Sequence, residues 1–401
     1  MRHHGYNCGF DFVREPEDFN INSSREFLQY SLGAILYMPA SRDAEEIVLE
    51  DKFPGLTSLV LDFEDALPSY NVAGAEENVH DILQSLAEKL VQGRLAIEDL
   101  PLIFIRVRSP GQFKRFTAGL SPLMSDVLAG FVFPKFNTDR GCSYLRHLQW
   151  LNDEFSGHLY GLPILESREI AHTEKRQQEL IELKELLEPH RNMILNLKVG
   201  TTDFSSLFGL RRSMDRTAYD LMPVRACIAD ILNHFTRIEA EYVISGPVWE
   251  YFNGDESIEP EMLDYDLGTL LKLEKTLINS EVEGLLRETR LDRASGFVGK
   301  IVIHPTHIKY VNALQAVTEE EYEDARQILE SSRAVVKSPA GNKMNETGPH
   351  ENWARKTVKR ARAYGVVEEE KSRVQLFAGG LKGIEGKNVK RERKRECDNV
   401  V

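Results

Sequence analysis

Between residues 30 and 335 the chain alternates two hydrophobic signals. Short, nearly all-apolar runs recur at Ile35–Met38, Leu59–Phe63, Ile103–Val107, Phe131–Phe133, Leu159–Leu165, Ile194–Val199, Tyr242–Ser245 and Lys300–Ile303. Strands covered on both faces read this way, because neither side meets water. Between the runs lie longer stretches with an apolar residue every three or four positions, the spacing of a helix with one buried face. Val79, Ile82, Leu83, Leu86 and Leu90 make one such stripe, with Gly93 beyond it. Ile228, Ile231, Leu232, Phe235 and Ile238 make a second, and Leu180, Leu183 and Leu187, stopped by Pro189, a third. Thr318 and Glu321 spell a capping box at the start of the last helix of this region. Strand and helix alternating eight times predict an α/β fold, a (β/α)8 TIM barrel over residues 30–335. An open, doubly wound sheet is the competing layout, and strand counting alone does not exclude it.

Two flanks remain. Residues 1–29 read as an N-terminal arm. Residues 336–380 read as a C-terminal helical extension, either a lid or an assembly element. It opens with the turn-rich run Ser338–His350 and continues in a basic helix from Glu351 to Tyr364. Arg355, Lys356, Lys359, Arg360 and Arg362 give that helix a cationic face, with Trp353 as an anchor. Residues 381–401, dense in charge over Lys387–Arg395, read as a disordered tail.

Composition narrows the picture. Hydrophobic residues are 42% of the 401 and charged residues 28%, enough for a large core. A formal charge of −13 argues against a general nucleic-acid surface. Cys8, Cys142, Cys227 and Cys397 form no CxxC pair, so neither a disulfide scaffold nor a structural zinc site is expected. No signal peptide and no membrane-length apolar run is visible, and the expected compartment is the cytoplasm.

In such a barrel, chemistry sits where strands end and the following loops build the mouth. The second run ends in Asp62-Phe-Glu64-Asp65, three carboxylates that are costly to bury unless paired or bound to cations. The third carries Arg106 and is followed by Arg108, a cationic fork for an anionic substrate. Later runs end in Lys135, Glu166, Gly200-Thr-Thr-Asp203 and His304. Clustered oxygen donors without a cysteine or histidine set suit a hard octahedral ion, Mg²⁺ before Zn²⁺. Gly296-Phe-Val-Gly-Lys300 is not a P-loop, because Ile301 replaces the required Ser or Thr, and no GxSxG or HExxH motif is present.

These strand ends resemble the HpcH/HpaI aldolase and citrate lyase beta-subunit family. The likeness runs through Leu36-Tyr-Met-Pro-Ala-Ser-Arg42, Leu61-Asp-Phe-Glu-Asp-Ala-Leu-Pro68, Ile105-Arg-Val-Arg108, Phe133-Pro-Lys135, Leu162-Pro-Ile-Leu-Glu166, Gly200-Thr-Thr-Asp-Phe204 with Leu207-Phe-Gly209, and Gly296–Pro305. Seven motifs in one order make it specific. The resemblance implies a Mg²⁺-dependent carbon–carbon bond lyase, with Mn²⁺ as a substitute, built as a homo-oligomer (trimer or hexamer). It implies Glu166 and Asp203 as metal ligands, and Glu64 and Asp65 as groups that bind the ion's waters or orient the site. Arg106 would grip a carboxylate or carbonyl, with Arg42 and Lys135 adding positive charge for a small anionic carboxylate substrate. The reaction implied is a reversible aldol or Claisen cleavage, in which an enolate needs a preorganised counter-charge. Gly341-Asn-Lys-Met-Asn-Glu346 and Pro349-His-Glu-Asn-Trp-Ala-Arg-Lys356 resemble a citrate-lyase-like subgroup tied to tellurite-resistance-type stress gene clusters. Competing readings are an acyl-thioester hydrolase on the same barrel and a non-catalytic binding or assembly subunit.

Overall fold

Each apolar run forms a strand in the computed structural model: β1 (Ala34–Pro39), β2 (Ser58–Asp62), β3 (Leu102–Arg106), β4 (Leu128–Phe133), β5 (Tyr160–Leu165), β6 (Leu197–Val199), β7 (Ile244–Ser245) and β8 (Lys300–Val302). The structure describes residues 1–379 apart from 8, 156–158, 239–240, 255–261, 264 and 273–278. The tail expected over 381–401, and Cys8 and Cys397, lie outside the described residues.

All strand pairs are parallel, in the order β7-β6-β5-β4-β3-β2-β1-β8. A parallel bridge between Gly246 and Lys300 seats the end of β7 against β8, and the Ile301 N–H donates to the Gly246 carbonyl at 3.0 Å. The ring is therefore closed, and the open-sheet alternative, which keeps two free edges, does not apply. Alternation along each strand fills two cores. Leu59, Leu61, Ile103, Ile105, Phe131 and Phe133 face the surrounding helices. Ile35, Val60, Phe104, Val132, Leu162 and Ile164 fill the barrel interior.

The three helical stripes also form, in Val72–Val91, Thr173–Leu187 and Met222–Phe235. The last stops before Ile238, which is 68% exposed rather than on the buried face. Among the described residues no helix is long and apolar enough to cross a membrane.

The flanks pack at the amino ends of the strands. Phe19, Phe27, Leu28 and Tyr30 from the N-terminal segment join the interior cluster together with Ala363 and Tyr364. Arg25 ties the segment down by donating through Nε and Nη2 to the Ile194 carbonyl, just before β6, at 3.0 and 2.7 Å. The helix Thr347–Tyr364 therefore closes the barrel floor. A lid over the mouth, one alternative for residues 336–380, does not describe this helix: its Ala363–Tyr364 end is anchored by apolar burial at the opposite end of the barrel.

Thr318 and Glu321 do form the capping box of the helix Glu319–Glu330. Burial works to raise the Glu321 carboxyl, but Arg293 and Arg373 overcome it and hold it down to about 2. A carboxyl held below its ordinary 4.5 in the folded state stabilises the fold above that pH and loses the contribution as pH falls from 4.5 toward 2. Glu321→Gln should flatten that part of the acid limb in a plot of stability against pH, while leaving the slope above pH 5 unchanged.

Candidate active site

The acidic end of β2 and the arginine of β3 meet because Asp62 and Arg106 are register partners, both turned into the barrel mouth. Arg106 donates through Nε to Asp62 Oδ1 and through Nη2 to Asp62 Oδ2, both at 2.6 Å. Asp62 also accepts the backbone N–H groups of Glu64 (2.8 Å) and Ala66 (3.1 Å), so its lone pairs are well used. The remaining edge of the guanidinium, Nη1, lies 2.9 Å from Asp65 Oδ2 and 3.2 Å from Glu64 Oε2. Arg106 is thus pinned by three carboxylates, and its first task is to hold the acidic loop. Arg108 does not complete a fork. It donates to the carbonyls of Phe63 and Leu67 and to Ser69 Oγ, each at 3.1 Å, and so ties down the loop after β2.

Lys135 joins this network to Glu166 and Asp203. Its backbone is left-handed, with φ of 47°, an uncommon state for a residue with a Cβ. In that conformation its N–H donates to Glu166 Oε1 at 2.9 Å. Its ammonium donates to Glu64 Oε1 at 2.6 Å and stands 3.6 Å from Asp203 Oδ1. Glu64, Asp65, Arg106, Lys135, Glu166 and Asp203 therefore lie in one connected cluster. Arg42 sits exposed just past β1, where the Asn78 side-chain amide braces the carbonyls of Ala40 (2.7 Å) and Arg42 (3.2 Å). The His304 ring instead takes a structural position, stacked 4.2 Å from Phe252 with Nδ1 2.7 Å from Thr306 Oγ1.

Electrostatics follow from this packing. Burial, then the charge of Asp203, push the Glu166 carboxyl well above the ordinary carboxylate range, against the pull of the Lys135 N–H. Burial also raises Glu64, against Arg106 and Lys135. Burial would depress the Lys135 ammonium, but Glu64, Asp203 and Glu166 outweigh it and raise its pKa. The cluster thus gathers five carboxylates, Asp62, Glu64, Asp65, Glu166 and Asp203, around two cations, Arg106 and Lys135.

That imbalance, made of hard oxygen donors, fits a divalent ion such as Mg²⁺. One buried oxygen, Glu64 Oε2, accepts no hydrogen bond. Among the described residues no three acidic, histidine or cysteine side chains are already gathered as a metal cage. Mg²⁺ commonly keeps several waters, so two direct carboxylates with water-bridged neighbours suffice. The Lys135 ammonium lies between Glu64 and Asp203.

Gly200 is the residue that lets Glu166 take its place. A Cβ there would fall 1.9 Å from Glu166 Oε2 and 2.6 Å from Glu166 Cβ. Its φ of −93° suits any residue, so the requirement is space alone. Gly200→Ala should displace the Glu166 carboxylate, cost about 1–3 kcal/mol of stability and lower activity about 100-fold. Urea unfolding and steady-state kinetics check both. Asp62, one of the three carboxylates that the sequence marks as costly to bury unpaired, is the one for which it names no specific task. The available signal was its position as the last inward residue of an apolar run, opposite Arg106.

A family model described as "C-C_Bond_Lyase of the TIM-Barrel fold" matches residues 26–366. No curated protein matches the sequence. Among solved structures, the chain is similar to the protein CitE from Mycobacterium tuberculosis in complex with magnesium, acetoacetate and coenzyme A. The identity is 18%, over 83% of this chain and 99% of that one, with a TM-score of 0.49. A citrate lyase beta subunit from the same organism, complexed with oxaloacetate and magnesium, is 18% identical over 71% of this chain and 96% of that one, at a TM-score of 0.42. Haloferax volcanii malate synthase, native at 3 mM glyoxylate, is 15% identical over 86% of this chain and 90% of that one, at a TM-score of 0.49.

Proposed function

The chain belongs to the C–C bond lyases of the TIM-barrel fold, and from that premise we propose a Mg²⁺-dependent lyase acting on an oxo- or hydroxy-carboxylic acid, or its ester or thioester, by retro-aldol or retro-Claisen cleavage. The observation that carries this reading is the surplus of carboxylates over cations at the barrel mouth, with Glu166 fixed by the Lys135 N–H and by the space at Gly200. Glu166 and Asp203 are the residues that would hold Mg²⁺, with Glu64 and Asp65 receiving its waters. Bound there, Mg²⁺ or Mn²⁺ would supply a Lewis acid for the substrate's carbonyl oxygen.

The remaining roles belong to the chain itself. Arg106 keeps the acidic loop in place and adds a fixed positive charge beside the reacting carbonyl. The raised pKa of Lys135 keeps its Nζ protonated at neutral pH, so it acts as a cation toward the substrate carboxylate and not as a base. Arg42 adds charge at the rim. The reading extends to a trimeric or hexameric assembly in the cytoplasm and to a citrate-lyase-like role in a stress-related pathway. The likeness of stretches 341–346 and 349–356 supports that last extension.

Proton exchange at carbon tests the chemistry whatever the physiological substrate is. In D₂O, pyruvate, oxaloacetate and acetoacetate are each followed by NMR with the full-length protein. The expected result is Mg²⁺-dependent exchange of carbon-bound protons, or cleavage, in at least one of them, stopped by EDTA. Metal-independent behaviour, or none in all three, overturns the proposal.

A further inference from the structure

Four of the five basic residues on the floor helix Thr347–Tyr364 have an evident counterpart. Arg355 pairs with Glu351 at 2.5 Å, Lys356 with Glu241 at 2.5 Å and Arg362 with Glu17 at 2.8 Å. Lys359 lies 5.5 Å from the centre of the Tyr30 ring. Arg360 is different. Among the described residues it has no hydrogen-bond acceptor and no ion-pair partner, and its Nε is buried.

Its surroundings are basic. Val358 and Ala361 pack with Val317 and Tyr322, which sets this part of the helix against the start of Glu319–Glu330. There Arg293 Nη2 donates to both oxygens of Glu321, at 2.9 and 2.7 Å, while its own Nε is buried and unpartnered. Arg373, nearly fully buried, donates through Nη2 to Glu321 Oε2 at 2.8 Å and through Nε to the Ala316 carbonyl at 2.9 Å, and its Nη1 pairs with Glu370. Glu321 also accepts the Thr318 N–H at 3.1 Å, so it has little capacity left for Arg360. Arg14, 5.1 Å from the centre of the Tyr322 ring, is exposed and acts on Glu17 instead. Three guanidinium groups, those of Arg293, Arg360 and Arg373, thus face two carboxylates, Glu321 and Glu370.

A buried guanidinium N–H without an acceptor is costly, and two of them in one cluster, with a surplus of one positive charge, call for an anion with several acceptor oxygens. Arginine forks match tetrahedral oxyanions well. We propose that Arg360, Arg293 and Arg373 form a binding site on the barrel floor for a phosphoryl dianion, free or as a phosphomonoester, at the opposite end from the acidic mouth. Burial and the charge of Arg373 hold the Arg293 guanidinium down to about 9, a shift that an anion beside it would reverse.

The test uses the full chain in metal-free buffer, with inorganic phosphate titrated against chloride at matched ionic strength. Phosphate should raise Tm saturably, by about 4 °C or more near saturation. Arg360→Met should weaken phosphate binding at least about 10-fold, and Arg360→Lys, which keeps the charge and loses the fork, should fall between. Without phosphate, Arg360→Met should melt at or above the wild-type temperature, because it removes an uncompensated charge. A merely structural arginine would give a lower Tm instead. Glycerol phosphate distinguishes the sources: response to inorganic phosphate alone describes a site closed around the free ion, and response to both describes one open to an ester. The proposal fails if phosphate does no more than chloride, if Arg360→Met binds phosphate with wild-type affinity, or if that variant is destabilised in phosphate-free buffer.

Discussion

Glu166→Gln is expected to remove Mg²⁺ binding and to lower activity by at least about 10³-fold, with little change in fold. Its Oε1 accepts the Lys135 N–H at 2.9 Å, and a glutamine oxygen can keep that bond. What disappears is the negative charge that burial and Asp203 already make expensive in the metal-free protein. The two consequences separate cleanly. The variant should melt no lower than wild type in EDTA and should lose the Mg²⁺-induced rise in Tm. Asp203→Ala should give the same binding phenotype from the other side of the ion. Isothermal titration with Mg²⁺ reads both, and unchanged binding in both variants would remove the metal assignment.

The largest effect on stability is expected from Asp62→Ala. The Asp62 side chain is 2% exposed and that of Arg106 10%, and they share two bonds of 2.6 Å. Deleting Asp62 leaves the buried Arg106 with only Glu64 and Asp65, both at its Nη1, and Nε and Nη2 without their acceptor, at a cost of about 3–5 kcal/mol. Two loop N–H groups, of Glu64 and Ala66, lose their acceptor as well. Denaturant unfolding should therefore show a large drop in midpoint. The double variant Asp62→Ala/Arg106→Leu should recover part of it, because the buried guanidinium is gone and Glu64 keeps the Lys135 ammonium as its counter-charge. A drop no larger than that of a surface substitution would mean that the pair is solvated and that Arg106 is free to turn toward a ligand.

The barrel strands were legible because each is a two-faced apolar run, and burial on both sides leaves a strong local mark. The mouth residues were legible for the converse reason: a charge at or soon after the end of such a run is conspicuous, as at Glu166, next to Leu165, and Asp203, four residues past Val199. Closure was not legible, since the contact between Gly246 and Lys300 joins segments far apart in sequence. The barrel floor was hidden as well. Phe27 and Tyr30 sit in the helix Arg25–Ser31, too short to show a period, and their role, like that of Phe19, comes from meeting Ala363 and Tyr364. The cationic face of the last basic helix was visible, but pairing with Glu17 and Glu241 neutralises two of its members and leaves Arg360 apart. Sequence also concealed Lys198, inside the sixth apolar run, whose ammonium is fully buried without a hydrogen-bond partner and is pushed down to about 7 by burial.

Crystals soaked in Mn²⁺ and measured at its absorption edge put the question to the molecule most directly. One anomalous peak should lie in the barrel mouth, about 2.1 Å from a carboxylate oxygen of each of Glu166 and Asp203, with the Lys135 ammonium moved off Asp203. A peak elsewhere, or carboxylates of Glu166 and Asp203 too far apart to touch the same ion, would contradict a metal-dependent lyase built on this pair.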